Sequence, residues 1–427
     1  MIRLVIALFV AGLVAAAPDA REDLKSPDPK RRARAAEELG RQKDVASIEL
    51  LRPLLNDPDR DVKVETVAAL VSIGTQRSLE PLVEATRDAD PAVQILALDG
   101  LVNFYYPGYV QTGWTAALKK LGSGMKNRIA EPSPLVIDSY LTVAPEVVQA
   151  LGRVIVGGTS MESRALAARS AGILRARPAA PQLIETLKSK DTAVILESLR
   201  ALEKIGDRSV GPALTFLLRD LHEPVQIAAI ETAGQLQNRE AIPVLRDLLK
   251  TGAKTGARRA ALVTLAKLPD ASLQDLFRSY LDDRDRHMRG AAAEGLGRLG
   301  LAEDRPRLER VFESERNQSA RLSMAFALIR LGDHSRLPYL LDALNSTFHR
   351  GEARPFLVEL ARDPKLIEAL YGPLRTGSND QKKNLAQVMA SSGGPDCLPH
   401  LEALTHDPDP EVAQEAIRAV KSLKTRL

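Results

Sequence analysis

The chain has 427 residues, with 59 Lys and Arg against 55 Asp and Glu, a formal charge of +4, one cysteine and sixteen aromatic residues. That length exceeds what a single hydrophobic core usually serves, so the chain is either multidomain or a repeat array. One cysteine, Cys397, excludes an intramolecular disulfide framework, and the near-balanced charge gives little reason to expect a nucleic-acid partner.

The N-terminus reads MIRLVIALFVAGLVAAAPDA: one basic residue, Arg3, then an uncharged apolar run of 14 residues from Leu4 to Ala17. A run of that length suits the hydrophobic region of a signal peptide and falls short of the roughly 20 residues that span a bilayer. Val14 and Ala16 occupy the −3 and −1 places for cleavage after Ala16, which removes residues 1–16. The expected product is exported, periplasmic or secreted, with no integral membrane span; the alternative is an uncleaved N-terminal anchor.

The first helical unit, KRRARAAEELGRQK, places Arg31, Arg34 and Arg41 among Ala and Glu, as on the solvent face of a terminal capping repeat. Further on, Val62, Thr66, Val67, Leu70 and Ile73 mark offsets 0, +4, +5, +8 and +11, one face of a helix. The same offsets return at Val93, Ala97, Leu98, Leu101 and Phe104, and at Val194, Ser198, Leu199, Leu202 and Ile205. They recur beginning at Val225, Met288, Ala320 and Val412. The closing position falls at residues 39, 73, 104, 174, 205, 236, 268, 299, 331, 360, 392 and 423, mostly 31 or 32 apart, with a single gap of 70.

Gly40, Gly74, Gly206, Gly300 and Gly332 follow this column and are expected to cap the helices in the left-handed conformation. A second apolar helix comes next, as in REAIPVLRDLLK or HSRLPYLLDALN, with proline tolerated in its first turn. An Asp/Pro-rich turn such as NDPDRDV or HDPDPEV opens the following unit. Each unit is therefore a helical hairpin. The boundaries predicted are repeats over 17–104, an interruption over 105–160, and repeats over 161–427 ending in a capping helix.

The interruption begins FYYPGYVQTGW, five aromatic residues in eleven positions. Phe104 closes its own column, whereas Tyr105, Tyr106, Tyr109 and Trp114 stand where a short inter-helix turn belongs. Pro132, Pro134 and Pro145 suggest a partly extended excursion, followed by a helix near 145–156. The region is an insertion or a degenerate repeat. Its rings either pack into the spacing defect, with Pro107 and Gly108 as turn chemistry, or form a binding site, since Tyr and Trp give large contact area at small entropic cost.

Catalytic constellations are thin. His222-Glu223 falls in a turn, and His400 and His406 are spaced so that they do not share a helix face. Cys397 has His400 three residues on but no third orienting group, so a partly buried thiol is expected. VGGTSMES lacks both the lysine of a phosphate loop and the spacing of a nucleophile elbow. An enzyme site in 105–142 would have Lys119, Lys120, Lys126, Arg128, Glu131 and Asp138 to draw on, with no His or Cys.

The repeated unit resembles the HEAT family, specifically the short class first described in phycobilin lyases, and DPDPEVAQEAIRAV carries that likeness most clearly. The resemblance implies an all-α, right-handed α-solenoid of about 12 repeats of about 31 residues, in which stacked hairpins supply the core. Some members of the class resemble deoxyhypusine hydroxylase, whose di-iron site needs several His-Glu pairs. One such pair among six histidines does not make that ligand set. The sequence therefore reads as an exported, non-enzymatic scaffold of the armadillo-like kind that binds a protein partner and needs no cofactor. The different-class alternative is a lyase-like or other enzyme.

Overall fold

The computed structural model describes residues 20–110, 134–138, 140–250 and 253–427. The expected signal peptide and Trp114 lie outside the described residues. Residues 1–126 with 158–163 form one compact unit, and 127–157 with 164–427 form the other. Among the described residues the secondary structure is helical with no strand, and the fold class is an α-solenoid.

The first unit holds α1 (Ala20–Asp23), α2 (Pro29–Arg41), α3 (Ile48–Leu51), α4 (Arg60–Ile73), α5 (Leu79–Ala85) and α6 (Pro91–Tyr105). After α7 (Pro145–Gly157) and α8 (Met161–Ile173) come α9 (Ala180–Thr186), α10 (Thr192–Ile205) and a 3-10 helix at Arg208–Arg219. The hairpins continue as α11 (Glu223–Gln235), α12 (Ile242–Lys250), α13 (Thr255–Lys267), α14 (Gln274–Tyr280), α15 (Arg286–Leu299) and α16 (Arg305–Ser314). The remaining helices are α17 (Gln318–Arg330), α18 (Leu337–Ala343), α19 (Arg350–Leu360), α20 (Pro364–Thr376), α21 (Asn379–Ser392), α22 (Leu398–Leu404) and α23 (Pro410–Arg426). The column helices pack on one another in series: α2 on α4 on α6 in the first unit, and α10 through α23 in the second.

The Asp/Pro turns explain where these helices start. Asp28, Asp59, Asp90, Asp285, Asp363 and Asp409 are N-caps whose carboxylates accept backbone N–H bonds from the first turn, and proline often follows where no N–H is needed. Two residues earlier stands a second acid that receives the N-cap's own N–H: Asp57, Asp88, Glu315 and Asp407. Each of these acids also pairs with a cation of the preceding column helix. The pairs are Arg32–Asp57 (2.7 Å), Lys63–Asp88 (2.8 Å), Arg289–Glu315 (2.6 Å) and Lys382–Asp407 (2.8 Å). Burial pushes the Asp57 carboxyl up, but hydrogen bonds from Arg32 and the Asp59 N–H outweigh it and hold it below the usual range.

The column itself is core. Val62, Thr66, Val67, Leu70 and Ile73 are all buried, as are Val225, Ala229, Ile230, Ala233 and Leu236. Gly74, Gly206, Gly300 and Gly332 have φ of +61°, +71°, +71° and +91°, in keeping with the caps expected. Gly40 does not. It lies inside α2, and a Cβ there would fall 2.6 Å from Ala69 Cα on α4. It is a close-approach glycine, and Lys43 takes the left-handed position instead, at φ +51°. Gly172 against Ala201 (2.8 Å) and Gly297 against Ala327 (2.5 Å) repeat the same contact farther along.

The last column departs from its pattern. Val412, Ala416 and Leu423 are buried, but Ile417 is 45% exposed.

Candidate functional site

The aromatic run lies at the end of α6. Tyr106 is the C-cap, its N–H bonded to Val102 O, and Tyr109 N–H donates to Tyr106 O at 3.1 Å across Pro107 and Gly108. Gly108 has φ +90°, so this is a type II turn with proline and glycine in the places such a turn needs. Phe104 is half-buried and meets Tyr105 edge-on at 5.0 Å. Tyr105, Tyr106 and Tyr109 are likewise half-buried, neither core nor fully exposed. Asp138, among the residues considered for an enzyme site, accepts a bond from Tyr140 Oη at 2.8 Å.

The remaining polar candidates are structural in place. His222 is exposed at the N-cap of α11. Cys397 is fully buried, not partly. Its sulfur lies 3.6 Å from Tyr371 Oη, and the Tyr371 ring stacks on His400 at 3.7 Å. Burial and the contact with Cys397 push the Tyr371 phenol well up. Among the described residues no group of three or more His, Cys, Asp or Glu side chains could hold a metal ion.

A larger feature lies in the second unit. An open groove of about 830 Å³ is lined by the outward stripes of α11, α13, α15, α17 and α19. On α15 the stripe is His287, Ala291, Glu294 and Arg298, the i, i+4, i+7, i+11 face left free by the buried column. Arg298 ties the floor together. Its guanidinium donates to Glu294 (2.9 Å), Glu359 (3.0 Å) and Ala266 O (3.2 Å), and sits 5.0 Å over the Phe326 ring. Phe326 stacks on Phe356 at 4.7 Å. Burial pushes the Arg298 guanidinium down, but the Glu294 and Glu359 carboxylates more than offset this, and it stays charged.

Around that floor stand Arg208, Lys267, Arg286, Arg330 and Arg362, none of them ion-paired with a carboxylate among the described residues. The lining holds six Lys and Arg cations against the three carboxylates Glu294, Glu352 and Glu359. The groove lining is thus locally cationic. At the other end of the stripe, Glu231 on α11 is exposed at the surface. Desolvation first, and the Glu203 carboxylate second, push its carboxyl up.

The sequence held a signal for four of these groove residues, in a row that begins outside the lining at Lys204. Lys204, Gln235, Lys267, Arg298 and Arg330 each precede a column-closing position, at spacings of 31, 32, 31 and 32. The apolar column drew attention away from the polar row beside it.

A family model described as HEAT repeats matches residues 18–106, 212–276 and 254–329. No curated protein matches the chain. The crystal structure of Kap121p bound to Nup53p is similar over 95% of this chain at 11% identity and a TM-score of 0.45, and the chain spans 57% of that structure's length. An engineered protein is similar at 19% identity over 95% of this chain and 98% of its own, with a TM-score of 0.30. Human deoxyhypusine hydroxylase in complex with glycerol is similar at 19% identity over 58% of this chain and 96% of its own, with a TM-score of 0.29. Likenesses this distant carry no statement about activity. The matched repeats and the stacked hairpins fit a HEAT-repeat protein built as an α-solenoid.

Proposed function

We propose that the chain is an exported, non-enzymatic scaffold of the short phycobilin-lyase-like repeat class, and that it binds a protein partner in the groove of its second unit. The observation that carries this is the set of cations with no ion-pair partner among the described residues, around an apolar floor of Val263, Ala291, Ala320 and Phe356. Solvated surface arginines have no need of such a concave, partly apolar setting, whereas a partner surface would gain contact area and charge pairing together. Export rests on the apolar N-terminal run and its small residues. No described helix is long and apolar enough to cross a membrane. The half-exposed rings of Tyr105, Tyr106 and Tyr109, with Trp114, stand as a second candidate contact.

The test is affinity capture from periplasmic and secreted fractions with the mature chain as bait, in three forms. These are the natural chain, Arg330→Glu with Arg362→Glu in the groove, and Arg310→Glu on α16, an exposed residue outside the groove lining. A protein retained by the natural chain and by Arg310→Glu, but lost from the groove variant, supports the reading. Equal capture by all three would overturn it.

A further inference from the structure

Resting on the groove as the binding site, we infer its ligand chemistry: an extended, acidic peptide segment. The chain itself shows how this face holds extended backbone. Residues 134–138 and Tyr140 are non-helical, and Leu135 and Ile137 meet the C-terminal ends of α10 and α8, one hairpin apart. The Leu135 carbonyl accepts from Lys204 Nζ at 3.0 Å, Ile137 N–H donates to Ile173 O at 2.9 Å, and the Tyr140 ring lies 6.0 Å from Lys421 Nζ. Ile137 is buried and anchors the segment. Lys204 thus donates to a carbonyl of extended backbone, and burial pushes its ammonium down against the opposing pull of the Glu197 carboxylate.

Lys204 is the first rung of the row that continues as Gln235, Lys267, Arg298 and Arg330. Two later cationic rungs, Lys267 and Arg330, have no internal strand or carboxylate upon them among the described residues, and Arg208, Arg286 and Arg362 flank them. Packed helices lie about 8–10 Å apart, and an extended chain advances about 3.3 Å per residue, so one rung matches about three residues. Between the cations, Val263, Pro355, Phe356 and Val358 offer apolar contact for the intervening side chains. A stiff duplex would gain nothing from this apolar interleaving. Charge complementarity commits the occupant to an acidic strand.

The experiment is fluorescence anisotropy with the full mature chain and a labelled flexible peptide of about four Glu-Ser-Gly repeats, against the same peptide with Gln for Glu. Single-stranded DNA of similar charge is the third probe. The acidic peptide should bind, and weaken as salt is raised, while the Gln peptide should not bind. The Arg330→Glu and Arg362→Glu double variant should lose about tenfold or more in affinity, and Arg310→Glu should lose little. Both substituted groove residues are exposed, so the melting temperature should hold and separate lost binding from lost fold. Equal affinity for the Gln peptide, tighter binding of DNA, or equal loss in Arg310→Glu would overturn the inference. If the acidic peptide does not bind while groove-dependent capture of a protein persists, the chemistry assigned here falls and the scaffold reading stands. If both are absent, both fall.

Discussion

Gly297 lets α15 and α17 approach more closely than any larger residue would permit, and Gly297→Ala tests whether that approach holds the array together. A Cβ at this position would lie 2.5 Å from Ala327 Cα and 2.8 Å from its Cβ. Ordinary carbon contacts fall at about 3.5–4.0 Å, so the two helices must part by roughly 1 Å. Overpacking of a close contact costs about 1–3 kcal/mol, and the obstacle here is backbone, which places it at the upper end. The intrinsic gain of Ala over Gly in a helix, about 1 kcal/mol, offsets part of that. The net expectation is a loss of about 2 kcal/mol in urea unfolding, with hydrogen-exchange protection reduced mainly in α15 to α17 because contacts are between neighbours. Gly351→Ala on α19 is the control, since nothing lies within 4 Å of its Cβ. It should be neutral or stabilising. A Gly297→Ala protein that behaves like Gly351→Ala would refute the close-packing argument.

Other perturbations follow from the same contacts. Glu197 is buried and pairs with Arg169 through two bonds of 2.9 Å, so Glu197→Gln should cost about 3–5 kcal/mol by removing the carboxylate charge opposite a buried guanidinium; a loss below 1 kcal/mol would contradict that. Leu296 is fully buried, and Leu296→Ala should cost about 2–5 kcal/mol with damage confined to neighbouring hairpins; uniform loss of exchange protection over the unit would argue against an array. Glu231 has its carboxyl held above the ordinary range, so its contribution to stability is full below about pH 4 and declines as pH rises through the folded value. Glu231→Gln should therefore raise the melting temperature only slightly at pH 7, because the side chain is exposed, and lose that advantage near pH 3; an equal difference at both pH values would disprove it. Intact-mass analysis of cell fractions should find the chain outside the cytoplasm and shortened near Ala16, and a full-length cytosolic species as the main form would end the export proposal.

The parts of the fold legible in the sequence were those set by local chemistry. Asp90 before Pro91, the Val62 to Ile73 face and Gly206 after Ile205 each act within one turn of helix, so period and residue type reveal them. Gly40 reads as a cap only until α4 is placed against it, because nothing local separates a capping glycine from one that admits a neighbour. Ile417 repeats the apolar offset faithfully and is exposed all the same, since a period alone does not report which positions a neighbour covers. The groove was least visible. Arg298 and Glu359 are 61 residues apart and meet only because successive hairpins stack so that their outward stripes converge. The aromatic run declared itself by composition, while the groove needed the register of a polar row beside an apolar one.

The most direct measurement of the central claim is site-specific photo-crosslinking in intact cells. A photoreactive residue would replace Ser319 in the groove, Arg310 outside it, or Tyr109 in the aromatic run, one position per variant. A discrete cross-linked product from position 319, identified by mass spectrometry as a protein bound through an acidic segment and absent from position 310, is the expected result. Products from position 310 or 109 with none from position 319 would contradict the assignment of the groove as the binding face.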